Sequence, residues 1–210
     1  MNLEELYKIA DEAVMEEELT ASEIPTIDLY VDQIINLVTD KNSLSSDRYR
    51  DKQLTKTMIN NYSKDGLITP IRGKKYTREQ IVQILSVYTL KNTLSIGEIK
   101  RLLGGAYAQE GYDGNDLANT YDRYISIKKE NREFSKDVIG QLMERYDLDV
   151  SDERDVMLII GSMLSLSAFL RSTAQALIDE KYPAIDEDDE KEKVKEKKTK
   201  EKKKNKAEVE

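Results

Sequence analysis

The chain has neither cysteine nor histidine among its 210 residues. Without cysteine it has no disulfide, no thiolate zinc site and no cysteine nucleophile. Without histidine it lacks the most common acid–base residue and the most common transition-metal ligand. Asp and Glu number 41, so a carboxylate-based enzyme stays open, but no pair of acids stands out as catalytic. We therefore expect a protein that is not an enzyme and that binds no metal or cofactor.

Proline is also scarce, with three residues, and alternating strand patterns are nearly missing. Long segments instead carry apolar residues at helical spacing, which predicts a mainly α protein. The acidic start, Met1 to Glu5, lacks the cationic stretch of a signal peptide. The most apolar run, Val156 to Leu170, is shorter than the about 20 residues of a bilayer span, so we expect a buried helix there. These features predict a cytoplasmic protein that does not contact the membrane.

Charge is unevenly distributed along the chain, although the net charge is −8. Residues 1–47 contain 2 basic and 12 acidic residues, whereas residues 48–101 contain 12 basic and 4 acidic residues. A compact basic segment in an acidic protein indicates an anionic partner, or a basic face that pairs with acidic neighbours in the fold. Residues 183–210 hold ten residues of each sign, which predicts a disordered tail that adds solubility or weak DNA affinity.

Caps and breaks divide the chain into predicted helices. Thr77 with Gln80 and Ser95 with Glu98 form capping-box patterns, and Gly104-Gly105 suggest a domain boundary. The first predicted helix runs from Asn2 to Leu19. Thr26 caps the second, which carries Ile27, Val31, Ile34, Ile35 and Val38 on one stripe and is followed by a loop at Lys41 to Asp51. The remaining predicted helices are Leu54 to Lys64, Thr77 to Leu90, Ser95 to Leu103, Leu117 to Lys129, Ser135 to Tyr146, and Asp152 to Lys181, the last capped by Ser151.

The helix at Leu54 to Lys64 separates two kinds of side chain. Apolar Leu54, Met58, Ile59 and Tyr62 fall on one side, and the opposite side carries Lys56, Thr57, Asn60, Asn61 and Lys64. Cations can meet phosphates, and asparagine pairs with adenine, so this division suits a recognition helix. The alternative is a solvated polar face on an ordinary core helix.

A turn-rich extended stretch, Thr69 to Tyr76, follows and could form a small hairpin. Gly66 can end the preceding helix in a left-handed conformation. Gly73 allows a tight turn, around which Arg72, Lys74 and Lys75 crowd. Like charges on one turn are unfavourable alone and are explained by a phosphate partner.

This order of motifs resembles the winged helix of the MerR family. The corresponding residues here are Tyr62, Gly66-Leu67-Ile68, Pro70-Ile71-Arg72, Tyr76 and the run Ser95 to Leu103. A closer resemblance is to Firmicutes proteins that share a domain of unknown function, through Ile27 to Gln33 and Leu54 to Tyr62. The resemblance spans residues 24–103 and implies a DNA-binding fold in which Tyr62 and Tyr76 reach phosphate or pack in the core.

Three features depart from the MerR pattern. Asn60 stands where arginine is typical, the wing is shorter, and neither a long coiled coil nor a cysteine cluster follows. A metal-sensing role is therefore excluded by chemistry, and DNA distortion at promoters does not follow from the resemblance.

The predicted organisation is an N-terminal helical arm (1–23), a winged helix-turn-helix with a short β-wing (24–103), a helical dimerisation or sensing domain (115–182) and the tail (183–210). The apolar C-terminal helix would lie in a bundle core or against a second subunit. We expect a sequence-specific transcriptional repressor that binds double-stranded DNA as a homodimer; the alternative is a protein-interaction adaptor. No small-molecule effector can be identified. The candidate DNA-binding residues are Lys56, Thr57, Asn60, Asn61, Tyr62, Lys64, Arg72, Lys74, Lys75, Tyr76 and Arg78.

Overall fold

The computed structural model describes residues 1–13, 18–41 and 53–184. Helices dominate these residues, as the sequence predicts. In chain order the elements are α1 (Leu3–Ala13), a short 3-10 helix (Ala21–Glu23), β1 (Leu29–Tyr30), α2 (Val31–Lys41), α3 (Lys56–Lys64), β2 (Lys75–Tyr76), α4 (Arg78–Leu90), α5 (Ile96–Tyr107), α6 (Gly114–Tyr146) and α7 (Glu153–Lys181).

The first two helices are shorter than the sequence predicts. Helix α1 ends at Ala13, and most of the rest of its predicted extent, residues 14–17, lies outside the described residues. Helix α2 begins at Val31 and not after Thr26, because Leu29 and Tyr30 are taken up by strand β1. The predicted loop after Lys41 also falls largely outside the described residues.

The two strands form an antiparallel pair that joins distant parts of the chain. Leu29 pairs with Tyr76 and Tyr30 pairs with Lys75. The predicted hairpin within residues 69–76 is therefore wrong, because β2 pairs with the segment before α2. The two-residue ladder ties the start of α2 to the start of α4.

The main apolar core lies between α2, α3, α4, α5 and the first turns of α6. Ile34, Ile59, Ile81, Ile84 and Ile99 are completely buried in it. Helix α4 is the centre of this core, because its residues from 80 to 87 are all buried. The core also includes Leu117, Tyr121 and Ile125 of α6, so α6 packs directly on the basic segment of the chain.

Both predicted capping boxes are present at the ends of α4 and α5. Thr77 accepts a hydrogen bond from the backbone N of Gln80, and Ser95 accepts one from Glu98. Helix α5 nevertheless continues through the predicted glycine break to Tyr107. The ring of Tyr182 lies so close to Gly105 that a Cβ atom there would be 2.1 Å from it, so this glycine permits close packing of the end of α7 on α5.

Helix α6 is one continuous helix of 33 residues, where the sequence suggests two. The segment between Lys129 and Ser135 contains neither proline nor glycine, so nothing in it breaks the helix. Helix α1 lies along this stretch: Arg132 donates a hydrogen bond to the carbonyl of Asp11 at 2.7 Å, and Lys136 pairs with the Asp11 carboxylate at 3.2 Å.

Helix α7 returns from the end of α6, and its cap is Asp152 rather than Ser151. Its apolar run is exposed, which corrects the expectation of a buried helix: Ile159 and Ile178 are the buried residues of α7, while Met157 is 73% exposed and Phe169 is 70% exposed. By length and composition alone α7 could cross a membrane, with a mean hydropathy of 1.6 over its most apolar stretch. Core helices of soluble proteins also pass that test, but such helices are mostly buried, whereas only 6% of the most apolar stretch of α7 is buried.

Candidate nucleic-acid interface

Helix α3 has one buried face and one open face. Ile59 and Tyr62 are buried, and Met58 is half-buried. The five polar residues predicted on the other face are all exposed: Lys56, Thr57, Asn60, Asn61 and Lys64. Helix α3 contacts both α2 and α4. The open face therefore belongs to a helix that is packed against two others.

Local hydrogen bonds fix both ends of α3. The hydroxyl of Thr55 accepts a hydrogen bond from the backbone N of Met58 at 3.2 Å. At the other end Gly66 has a φ of +71°, and the backbone N of Leu67 donates to the carbonyl of Tyr62 at 2.9 Å. This is a Schellman ending, which requires a left-handed residue and confirms the predicted role of Gly66.

The basic turn, defined here as residues 72–75, follows α3 on the surface. Arg72, Lys74 and Lys75 are all exposed, and Gly73 has the positive φ, +85°, expected of the turn glycine. The structure gives residues 69–74 no strand, so the turn is an irregular loop that ends in β2.

Two buried glutamines of α4 hold the base of this turn. Gln83 accepts hydrogen bonds from the backbone N and the hydroxyl of Thr69, at 2.9 and 3.2 Å. Gln80 donates to the carbonyls of Thr69 and Pro70, both at 3.2 Å. Neither amide was predicted to hold the turn. The capping-box pattern with Thr77 could have drawn attention to Gln80, whereas Gln83 is recognised only from its burial.

Three of the candidate residues are engaged within the fold. Tyr62 and Tyr76 are buried, so both rings pack in the core. Burial raises the pKa of Tyr62 to about 12, with a further contribution from Tyr88, and keeps the phenol protonated. Arg78 donates from Nε and Nη2 to the carbonyl of Ala21, at 3.1 and 2.8 Å.

One cation of the basic turn is positioned by an aromatic ring. The ammonium of Lys75 lies 5.0 Å from the centre of the Tyr30 ring, within the range of a cation–π contact. Tyr30 is 49% exposed and is the strand partner of Lys75, so the contact follows from the register of the sheet. Tyr30 was not among the predicted site residues.

Two exposed acidic residues lie near this surface in the sequence. Asp65 directly follows α3, and Glu79 lies in the first turn of α4, where its carboxylate is 3.3 Å from the position that a Cβ atom on Gly114 would take. Arg48, Arg50 and Lys52, which contribute to the basic charge of the segment, lie outside the described residues. Among the residues that are described, no group of three or more acidic side chains could hold a metal ion.

These features define a mainly helical domain that presents a polar helix face and a basic turn on one core. The chain belongs to the family defined by a domain of unknown function, DUF1836, whose model matches residues 19–124. The matched region starts before the 24–103 segment of the sequence resemblance and extends into α6, as the apolar core does. Searches of curated proteins and of solved structures gave no match.

Proposed function

We propose that this protein is a sequence-specific DNA-binding regulator, a repressor with a MerR-like arrangement of recognition helix and wing. The supporting observation is that the open face of α3 and the basic turn are both anchored to α4. The face offers amides and hydroxyls for base edges, and the turn offers three cations for phosphates.

Fewer residues are proposed to contact DNA than the sequence predicts. Tyr62, Tyr76 and Arg78 serve the fold, so the proposed contacts are Lys56, Thr57, Asn60, Asn61, Lys64, Arg72, Lys74 and Lys75. Asn60 and Asn61 set sequence preference, and the lysines and Arg72 supply affinity that weakens with salt.

Selection of bound fragments from a genomic library tests this proposal. The native chain is expected to enrich a recurring site, and the Arg72, Lys74 and Lys75 triple alanine variant is expected to lose affinity for all sequences by similar factors. The slope of log affinity against log salt should fall by about 1 for each phosphate contact removed. A triple alanine variant of exposed Lys8, Lys129 and Arg145 removes the same charge elsewhere and should bind as the native chain does.

Single substitutions of Asn60 and Asn61 to alanine separate base contacts from phosphate contacts. Each should cost about 1–3 kcal/mol at the preferred site and little at unrelated sequences. Equal losses at every sequence would contradict a role in sequence preference, and no enrichment by the folded native chain would overturn the proposal.

A second candidate function, a protein-interaction adaptor, is favoured by the exposed apolar surface of α7. An adaptor would use this surface and would show no salt-dependent binding to duplex DNA. The binding experiment therefore distinguishes the two functions.

A further inference from the structure

The short ladder of β1 and β2 has a buried face and an exposed face. Leu29 and Tyr76 are paired, and both side chains are buried in the core. Successive side chains of a strand point to opposite faces, so the neighbouring pair, Tyr30 and Lys75, points away from the core. Both of these side chains are exposed. The outer face of the ladder therefore presents one aromatic ring and one cation.

The register of the ladder brings this ring and this cation together. Residues directly opposite each other in an antiparallel pair have Cβ atoms about 5 Å apart, and the ammonium of Lys75 lies 5.0 Å from the centre of the Tyr30 ring. The backbone N of Tyr30 also donates a hydrogen bond to Oε1 of Gln33 at 2.9 Å. The backbone that carries the ring is therefore held both by the ladder and by the first turn of α2.

The charge of Lys75 is not neutralised within the described part of the chain. Lys41, by comparison, pairs with Glu23 at 2.6 Å, whereas Lys75 forms no ion pair with any described acidic residue. A cation–π contact leaves the charge in place, and an ammonium has three N–H donors. Lys75 can therefore contact the ring of Tyr30 and still donate to an anion that approaches from solvent.

A ring beneath the ammonium reduces the entropy that binding would cost. Lysine has a flexible four-carbon stem and loses rotamer freedom when its ammonium is fixed on a partner. Part of that freedom is already lost where Tyr30 holds Lys75, so less is lost on binding. Among the described residues neither Arg72 nor Lys74 lies over an aromatic ring. Lys75 is thus the preorganised cation of the basic turn.

We infer that Tyr30 is a further functional residue of the DNA interface, where it positions Lys75 for contact with a backbone phosphate. This inference rests on the DNA binding proposed above. Tyr30 acts through Lys75 and is therefore a positioning residue. A phosphate contact does not depend on base sequence, so the effect of the ring is expected with any duplex.

A double-mutant cycle between Tyr30 and Lys75 tests this inference. The probe is sheared genomic duplex DNA of mixed sequence, and affinity is measured over a range of salt concentrations. Tyr30→Leu should weaken binding about two- to fivefold, as expected for an exposed cation–π contact. Tyr30→Phe keeps the ring and should bind as the native chain does. In a Lys75→Ala background Tyr30→Leu should have no further effect, because the group that the ring positions is gone.

The salt dependence separates positioning from phosphate contact. Lys75→Ala should reduce the slope of log affinity against log salt by about 1, because one phosphate contact is lost. Tyr30→Leu should leave the slope unchanged, because Lys75 keeps its charge. Tyr146→Leu is the matched control and should bind as the native chain does. This exposed tyrosine also lies beside a cation, Arg145 at 5.8 Å, but at the C-terminal end of α6.

Nuclear magnetic resonance of the DNA-free chain checks the contact by itself. Protons over the face of an aromatic ring resonate upfield. The ε-methylene protons of Lys75 should therefore be shifted upfield in the native chain and in Tyr30→Phe, but not in Tyr30→Leu. Equal shifts in the three proteins would overturn the contact. The same spectra show that each variant is folded.

Failure of this inference can be distinguished from failure of the proposed function. If the native chain binds duplex DNA and Tyr30→Leu binds equally well, the role of Tyr30 is overturned while DNA binding stands. An undiminished effect of Tyr30→Leu in the Lys75→Ala background would overturn it in the same way. If the native chain shows no salt-dependent binding, the proposed function is overturned, and the phosphate contact of Lys75 with it.

Discussion

Gln83 of α4 accepts two hydrogen bonds from Thr69, one from its backbone N at 2.9 Å and one from its hydroxyl at 3.2 Å. Gln83 is 2% exposed, so its side chain lies in the core and holds Thr69, just before the basic turn, in place from there. Gln83→Leu should lower the free energy of unfolding by about 1–3 kcal/mol, since a buried amide contact is lost. Urea unfolding measures the change, with exposed Gln141→Leu as the control; equal stabilities of the two variants would contradict this role.

Tyr62 has a buried hydroxyl for which the described residues provide no hydrogen-bond partner. Tyr62→Phe should therefore leave the free energy of unfolding unchanged or raise it by up to about 1 kcal/mol, because an unsatisfied polar group is removed. Affinity for DNA should not change. A loss of affinity in the folded variant would show instead that this hydroxyl reaches phosphate in the complex.

Arg78 is expected to act on stability and not on DNA affinity. Its guanidinium donates two hydrogen bonds to the carbonyl of Ala21, which links α4 to the 3-10 helix. Arg78→Ala should cost about 1–2 kcal/mol in thermal or urea unfolding. The folded variant should bind DNA within about twofold of the native chain, as should the control Arg123→Ala on α6.

Gly66 and Gly104 should respond in opposite directions to substitution by alanine. Both positions have open space around an added Cβ atom, so the backbone alone decides the outcome. Gly66→Ala should cost about 1–2 kcal/mol because its φ is +71°. Gly104→Ala, within α5, should raise stability by about 0.5–1 kcal/mol through helix propensity. Chemical denaturation of both variants measures the difference, and the same sign for both would contradict it.

Glu23 contributes a pH dependence to stability. The hydrogen bond from Lys41, at 2.6 Å, and that from the backbone of Thr20 lower the pKa of Glu23 from 4.5 to about 2. A lowered folded-state pKa stabilises the fold above about pH 4.5, and this contribution is lost as the pH falls toward 2. Because Glu23 is 40% exposed, it amounts to under about 1 kcal/mol.

Unfolding measured between pH 6 and pH 3 tests this contribution. Glu23→Gln should be less stable than the native chain at pH 6, and the difference should shrink as the pH falls. Glu110→Gln, an exposed acid in a loop, is the matched control and should follow the native curve. A constant difference across this range would contradict the assignment.

Local features of the fold could be predicted where a few neighbouring residues decide the structure. Thr77 and Ser95 cap their helices in the predicted way, because a capping box closes within four residues. Gly66 and Gly73 have the expected positive φ, because the steric limit belongs to the residue itself. The division of α3 into buried and exposed faces follows from the helical period in the same way.

Long-range pairing could not be predicted from local patterns. The pattern around Gly73 suggests a hairpin, but β2 pairs with Leu29 and Tyr30, far away in the sequence. Gln83 and Tyr30 belong to the candidate site only because the core and the sheet bring them to Thr69 and Lys75. The glycines at 104 and 105 likewise suggest the end of a helix, but α5 continues through them, and Gly105 instead makes room for the ring of Tyr182.

The sequence by itself determined the helical class, the helix caps, the left-handed glycines and the polar composition of α3, because each depends on backbone sterics or on side chains within a few turns. Tertiary structure decided which cations stay exposed, which tyrosines and amides are buried, and that α6 joins the core. Among the described residues it also left the large apolar side chains of α7 exposed. Burial depends on the whole packed chain, and no short segment contains that information.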